Sequence, residues 1–162
     1  MRGGIWVLNI FAAAWGVAAV IIGRLPVWLA AIPVVVSLVV LFWASRQPPP
    51  AGEPVGGPHV GRIVGIWSAI EGVAMFLAAN VLVNLHWPTA IMPVFAIIVG
   101  LHFAPLARGI PVRTYYATAG ALVAVGLGAL LLPGEERATV TGCAAALVLW
   151  ASGILLVRRG SR

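Results

Sequence analysis

Six long apolar runs, each near the length needed to cross a lipid bilayer, dominate this chain and leave few folds open to it. A spanning helix takes roughly 17–25 mostly apolar residues, because each residue rises about 1.5 Å through a hydrocarbon layer about 30 Å thick. The runs cover residues 5–22, 27–44, 63–85, 89–107, 115–132 and 138–157. Only 9% of the residues are charged, against about 25% in a typical soluble domain, so no polar shell is available to face water. The expected fold is therefore all-α. It is a single polytopic membrane bundle over residues 1–162, with six transmembrane helices as three consecutive hairpins. The first run is longer than the roughly 7–15 residues of a signal-peptide core, which makes it a retained span.

The breaks between runs set the hairpins. Arg24-Leu25-Pro26 and His86-Trp87-Pro88 are tight turns, and Pro133-Gly134-Glu135-Glu136-Arg137 reads as a short solvated loop. Residues 46–62 form a longer hydrophilic linker, stiff at Pro48-Pro49-Pro50 and flexible at Gly56-Gly57. A weak internal repeat runs across the hairpins. Phe11 and Gly16, Trp67 and Gly72, and Tyr115 and Gly120 each pair an aromatic with a glycine five residues on. Ile32-Pro33-Val34 and Met92-Pro93-Val94 also recur in the second helices of the first two hairpins, where both prolines are expected to kink the helix.

Charge supplies the orientation. All ten basic residues are Arg, and the acids are Glu53, Glu71, Glu135 and Glu136. With six spans, Arg2, Arg46, Arg62, Arg108, Arg113, Arg158, Arg159 and Arg162 fall on one side, and only Arg24 and Arg137 on the other. Such a bias places both termini and the long linker in the cytoplasm. The arginines are scattered between apolar runs, which excludes a nucleic-acid surface. Cys143 stands alone in an apolar run, so neither a disulfide framework nor a thiolate metal site is available. His59, His86 and His102 fall in a linker, an outer turn and a span, which separates them as metal ligands. No phosphate loop, zinc motif or Ser-His-Asp set is present, so no catalytic residue, metal or cofactor is expected.

Glu71 is the outlier. It lies within the third run, where an ionised acid costs about 2.5–3.5 kcal/mol on insertion scales, and such residues usually face a bundle interior or a cavity. His102 is its expected partner. The two are symmetric about the His86-Trp87 turn, so an antiparallel hairpin brings them to similar heights. Trp67 and Ser68, four and three residues before Glu71, share its side of the helix. Tyr115 lies at a similar depth, with Asn9, Tyr116 and Thr118. An acid among aromatic rings suits a lipophilic cation. Asn80 and Asn84, on the opposite face, read as helix glue. Small residues four apart recur at Gly61/Gly65/Ala69, Gly100/Ala104, Ala12/Gly16 and Gly142/Ala146, permitting close helix approach.

The stretch from Trp67 to Gly72, with Gly100-Leu101-His102-Phe103-Ala104-Pro105-Leu106-Ala107 and Tyr115-Tyr116, resembles a set of small uncharacterised bacterial multi-pass membrane proteins. The resemblance covers about the middle third of the chain and leaves out the first hairpin and the last helix. It implies a bacterial inner-membrane location and singles out Glu71 and His102, and it carries no activity.

Two functions are expected to compete. The first is a small-solute or cation transporter in which Glu71 exchanges protons and His102 modulates it. The second is a non-catalytic membrane scaffold or accessory subunit, in which the same polar residues only hold helices together. Partners are the lipid bilayer and a second copy of the chain or another membrane protein. A transporter needs access to Glu71, whereas a scaffold keeps it dry.

Overall fold

The computed structural model describes residues 2–47, 58–110 and 112–160. The linker segment 48–57 with Glu53, Pro111, and Arg162 lie outside the described residues. Six α-helices follow one another: α1 (Arg2–Ile22), α2 (Ala31–Ser45), α3 (Pro58–Asn84), α4 (Ile91–Gly109), α5 (Thr114–Leu130) and α6 (Gly134–Gly160). Short 3-10 turns, Val27–Ala30 and Pro88–Ala90, lead into α2 and α4. No strand occurs among the described residues. Five segments are long and apolar enough to cross a membrane, and α5 is a shorter apolar helix. Large apolar side chains cover the outside, among them Ile10, Phe42, Phe76, Leu101, Leu131 and Leu147.

The centre of the bundle comes from α1, α4, α5 and α6. Leu8, Ala12 and Trp15 meet Met92, Ala96, Val99 and Phe103, with Leu122 and Leu149 fully enclosed. The most extensive packing lies along α4–α5 and α1–α6, and not within the pairs α1–α2, α3–α4 and α5–α6 expected as hairpins. Glycine makes this approach possible at particular points. A methyl at Gly126 would come 2.5 Å from the Pro93 carbonyl oxygen, and one at Gly142 would come 2.7 Å from the Trp15 carbonyl oxygen. Flanking this core, α2 packs on α1, and α3 packs chiefly on α4. Among the described residues of α3 only Leu82 is buried.

Several local expectations are corrected. Helix α3 starts at Pro58, so Arg62 is helical and not part of the linker. Glu135 and Glu136 occupy the first turn of α6, where carboxylates favour the positive end of the helix dipole. Pro33 and Pro93 each stand third in their helices. In that first turn a missing N–H breaks no α-helical bond, so they begin helices where kinks were expected. The interior proline is Pro105 in α4, which leaves the Leu101 carbonyl without its helical donor. Asn80 donates within its own helix, to the Phe76 carbonyl at 2.8 Å.

The first two turns share one geometry. Leu25 N–H donates to Val20 O, and Trp87 N–H donates to Leu82 O, each at 2.9 Å. Between donor and acceptor, Arg24 (φ 53°) and His86 (φ 55°) adopt the left-handed conformation that closes a helix C-terminus.

Candidate functional site

Two helix faces build the site. On α3, Val60, Val64, Ser68 and Glu71 recur at four, four and three residues, the spacing of one helical face. On α4, Val99, His102, Phe103 and Leu106 do the same, with Ile110 just past the helix end. The first turns of α1 and α5 and the last turns of α6 complete the enclosure. The site therefore lies at the end of the bundle where α1, α3 and α5 begin and α4 and α6 finish.

Glu71 and His102 meet across the α3–α4 contact. His102 Nδ1 is 3.5 Å from Glu71 Oε2 and 3.1 Å from the Trp67 carbonyl oxygen. A carbonyl can only accept, so Nδ1 carries the proton in this arrangement, shared between the carbonyl and the carboxylate. Both side chains are mostly buried, with 9% of His102 and 16% of Glu71 exposed. Phe103 follows His102 edge-on at 5.9 Å between ring centroids. Tyr115 lies 5.5 Å from the Phe103 ring, with its hydroxyl 3.2 Å from where a methyl on Gly4 would stand.

Between these walls lies a cavity of about 410 Å³, within the roughly 300–1,000 Å³ that ligand pockets occupy. Of its seventeen described lining residues, four are polar: Ser68, Glu71, His102 and Tyr115. The rest are aliphatic, glycine or phenylalanine. A single carboxylate and imidazole at the edge of an apolar chamber can hold a cation, pass a proton between them, or both.

Four of the five residues named from sequence thus share one cavity. The fifth, Trp67, does not contribute its ring: its indole is partly exposed, and its part is the backbone carbonyl that receives His102. Helical spacing puts Trp67 beside Glu71 but cannot tell a ring turned into the bundle from one turned out. Asn9 and Thr118 belong elsewhere. Asn9 is fully buried, donates to Ile5 O and receives Ser37 on its own carbonyl. Trp150 Nε1 donates to Ser37 Oγ, and Thr118 pairs with Ser152 at 2.6 Å, so these groups join α1, α2, α5 and α6. Tyr116 is exposed.

Residues missed from sequence include Phe103 and Gly4, whose neighbours come from distant parts of the chain. Arg137 was missed too. It donates to Leu132 O, Leu130 O and Thr89 Oγ1 and lies 5.5 Å from the Trp87 ring centroid. At the end opposite the cavity it ties the α3–α4 turn to the α5–α6 turn. Among the described residues, no three of His, Cys, Asp and Glu come together as a metal-ligand group.

Residues 59–159 match the model of a family of unknown function, DUF7010. The match takes in nearly all of α3 through α6, including Glu71, His102 and Tyr115, and leaves out α1 and α2. No curated protein and no solved structure matches the chain.

Proposed function

The chain belongs to DUF7010, a family of unknown function, and we propose that it is a membrane permease for a small solute or cation, with Glu71 as its proton-exchanging group. In this reading all six helices span a bacterial inner membrane as three hairpins. Five segments have the length for it. Helix α5, at 17 residues, sits at the lower limit of about 17 and is extended by Leu131 and Leu132. The arginine bias puts both termini, and the cavity end, on the cytoplasmic side.

One observation carries the proposal. Glu71, paired with His102 across the α3–α4 contact, also stands on the wall of a 410 Å³ cavity, which gives its carboxylate a chamber to serve besides its helix partner. An acid in that position can trade its proton for a cation, and the His102 Nδ1–H faces the same carboxylate. Glu71→Gln keeps the size and the hydrogen bonding but cannot titrate. In proteoliposomes this variant is expected to fold and insert normally and to lose proton-coupled movement of a cationic solute. Unchanged coupled flux, for a solute that wild type moves, would remove Glu71 from the coupling role.

The scaffold reading has its own supporting observation. Methyls placed on Gly61, Gly65 and Gly72 would meet nothing within 4 Å, so a small-residue face of α3 lies open to another helix. Gly65→Leu separates the two. A scaffold loses its partner helix and leaves Glu71-dependent flux undefined, whereas a permease keeps its flux.

A further inference from the structure

We infer that the cavity takes a lipophilic monovalent cation and fills from the bilayer, through the gap between α1 and α3. This rests on the reading of Glu71 above and adds the class of ligand and its route.

The charge follows from the lining. Among the described lining residues Glu71 is the one acid and none is an arginine. The lining oxygens beyond the backbone are those of Glu71, Ser68 and Tyr115, too few for a hard metal ion, which takes six or more oxygen ligands or keeps its water. Thirteen of the seventeen lining residues offer neither charge nor hydrogen-bonding side chain. A cation held here therefore has to bring its own apolar cover, and the tilted ring pair of Phe103 and Tyr115 lines the chamber as aromatic surface for such a charge.

The route follows from packing. Both α1 and α3 line the chamber, yet among the described residues they share no extended contact; α3 leans on α4, and α1 on α6 and α2. Along this gap the rim side chains Val7, Phe11 and Val64 are 52%, 53% and 38% exposed. A mouth opening on water would carry polar groups, whereas this rim is apolar, as a portal to hydrocarbon must be. The other approach, past the first turn of α5, is narrowed by Tyr115 lying against Gly4.

The test uses the full chain in lipid nanodiscs with radiolabelled tetraphenylphosphonium. Tetraphenylborate, of the same shape and opposite charge, is measured separately. Saturable binding of the cation alone is expected, with Glu71→Gln weakening it by about tenfold or more, as the loss of a partly desolvated charge contact. Binding of both ions alike, or a Glu71→Gln variant that binds as wild type does, would overturn the ligand class. For the route, Val7→Trp with Val64→Trp narrows the gap without touching Glu71. Association and dissociation should both slow by about tenfold, since a narrowed gate slows both rates whereas a changed bound state alters dissociation alone. Wild-type rates, or a change in one rate alone, would overturn lateral entry; Val7→Phe with Val64→Phe replaces the pair if the larger rings prevent folding. Saturable tetraphenylphosphonium binding without coupled flux would defeat the permease reading and leave this inference standing. Coupled flux of a hydrophilic cation without tetraphenylphosphonium binding would do the reverse.

Discussion

Replacing Gly126 by alanine adds one methyl where α4 and α5 touch, and the structure fixes what that methyl meets. It would stand 2.5 Å from Pro93 O, 2.6 Å from Ile97 Cγ1 and 3.1 Å from Ile97 N. Ordinary contact begins at 3.4 Å, so the closest approach is about 0.9 Å short, and two of the three atoms are backbone. No rotamer change relieves that; the helices must separate. Overpacking of this kind costs typically about 1–3 kcal/mol. Alanine recovers up to about 1 kcal/mol in helix propensity; an approach this short belongs at the upper end of that cost, about 3 kcal/mol, so the net loss is about 2 kcal/mol. At Gly72 the same methyl meets nothing within 4 Å, so only the propensity gain remains and Gly72→Ala should be neutral or stabilising by up to about 1 kcal/mol. Equilibrium unfolding in mixed detergent micelles measures both against wild type. Equal behaviour of the two variants, or a Gly126→Ala protein as stable as wild type, would refute the α4–α5 packing described here.

Three further outcomes follow from named contacts. Arg137→Ala loses three hydrogen bonds and a ring contact and should cost about 2–4 kcal/mol of thermal stability; Arg137→Lys should rescue little, because one ammonium cannot reach all three acceptors. Ser37→Ala should cost more than Trp150→Phe, about 2 against about 1 kcal/mol, since it strands the buried indole N–H that now donates to Ser37 Oγ at 2.9 Å; the reverse order in unfolding titrations would discredit that contact. Cysteines replacing Glu71 and His102, with Cys143 changed to serine, should join through a short reagent, and better linking from Ile98 would place α4 in a different rotation.

How far the sequence reaches depends on the kind of question. The six helices were legible because apolar runs end at turn formers, and observed ends lie within a few residues of the expected ones. Depth was legible too: counting from the His86 turn brought Glu71 and His102 to one height, and they meet at 3.5 Å. Rotation was harder to read, because a helix apolar all round carries no stripe to fix which side faces inward. Trp67 and Asn80 show the consequence. Small residues show it again: Gly100 lies against Ala119 O and Val123 N, while Gly61 and Gly65 face open space, though all three stood in the same four-residue pattern.

The internal repeat divides in the same way and yields a last prediction. Its aromatic–glycine element has no common structural role, since Gly16 sits under Pro33 whereas Gly72 and Gly120 meet nothing. The repeated feature is instead the turn, with Arg24 and His86 in left-handed backbone, a proline two residues later and a 3-10 turn beyond. A non-glycine residue in that conformation costs roughly 1–2 kcal/mol, and glycine adds back about 0.5–1 kcal/mol through the freedom it has when unfolded. Arg24→Gly and His86→Gly should therefore each stabilise the protein by about 0.5–1 kcal/mol, and by similar amounts. The α5–α6 turn differs: Leu131 is right-handed at φ −82°, and Leu131 and Leu132 N–H donate to carbonyls three residues back. There glycine only loosens the unfolded chain, so Leu131→Gly should destabilise by about 0.5–1 kcal/mol. Opposite signs at 24 and 86, read by unfolding in the same micelles, would show that the two turns are not one device used twice. A stabilising Leu131→Gly would show that the left-handed residue is not what sets them apart.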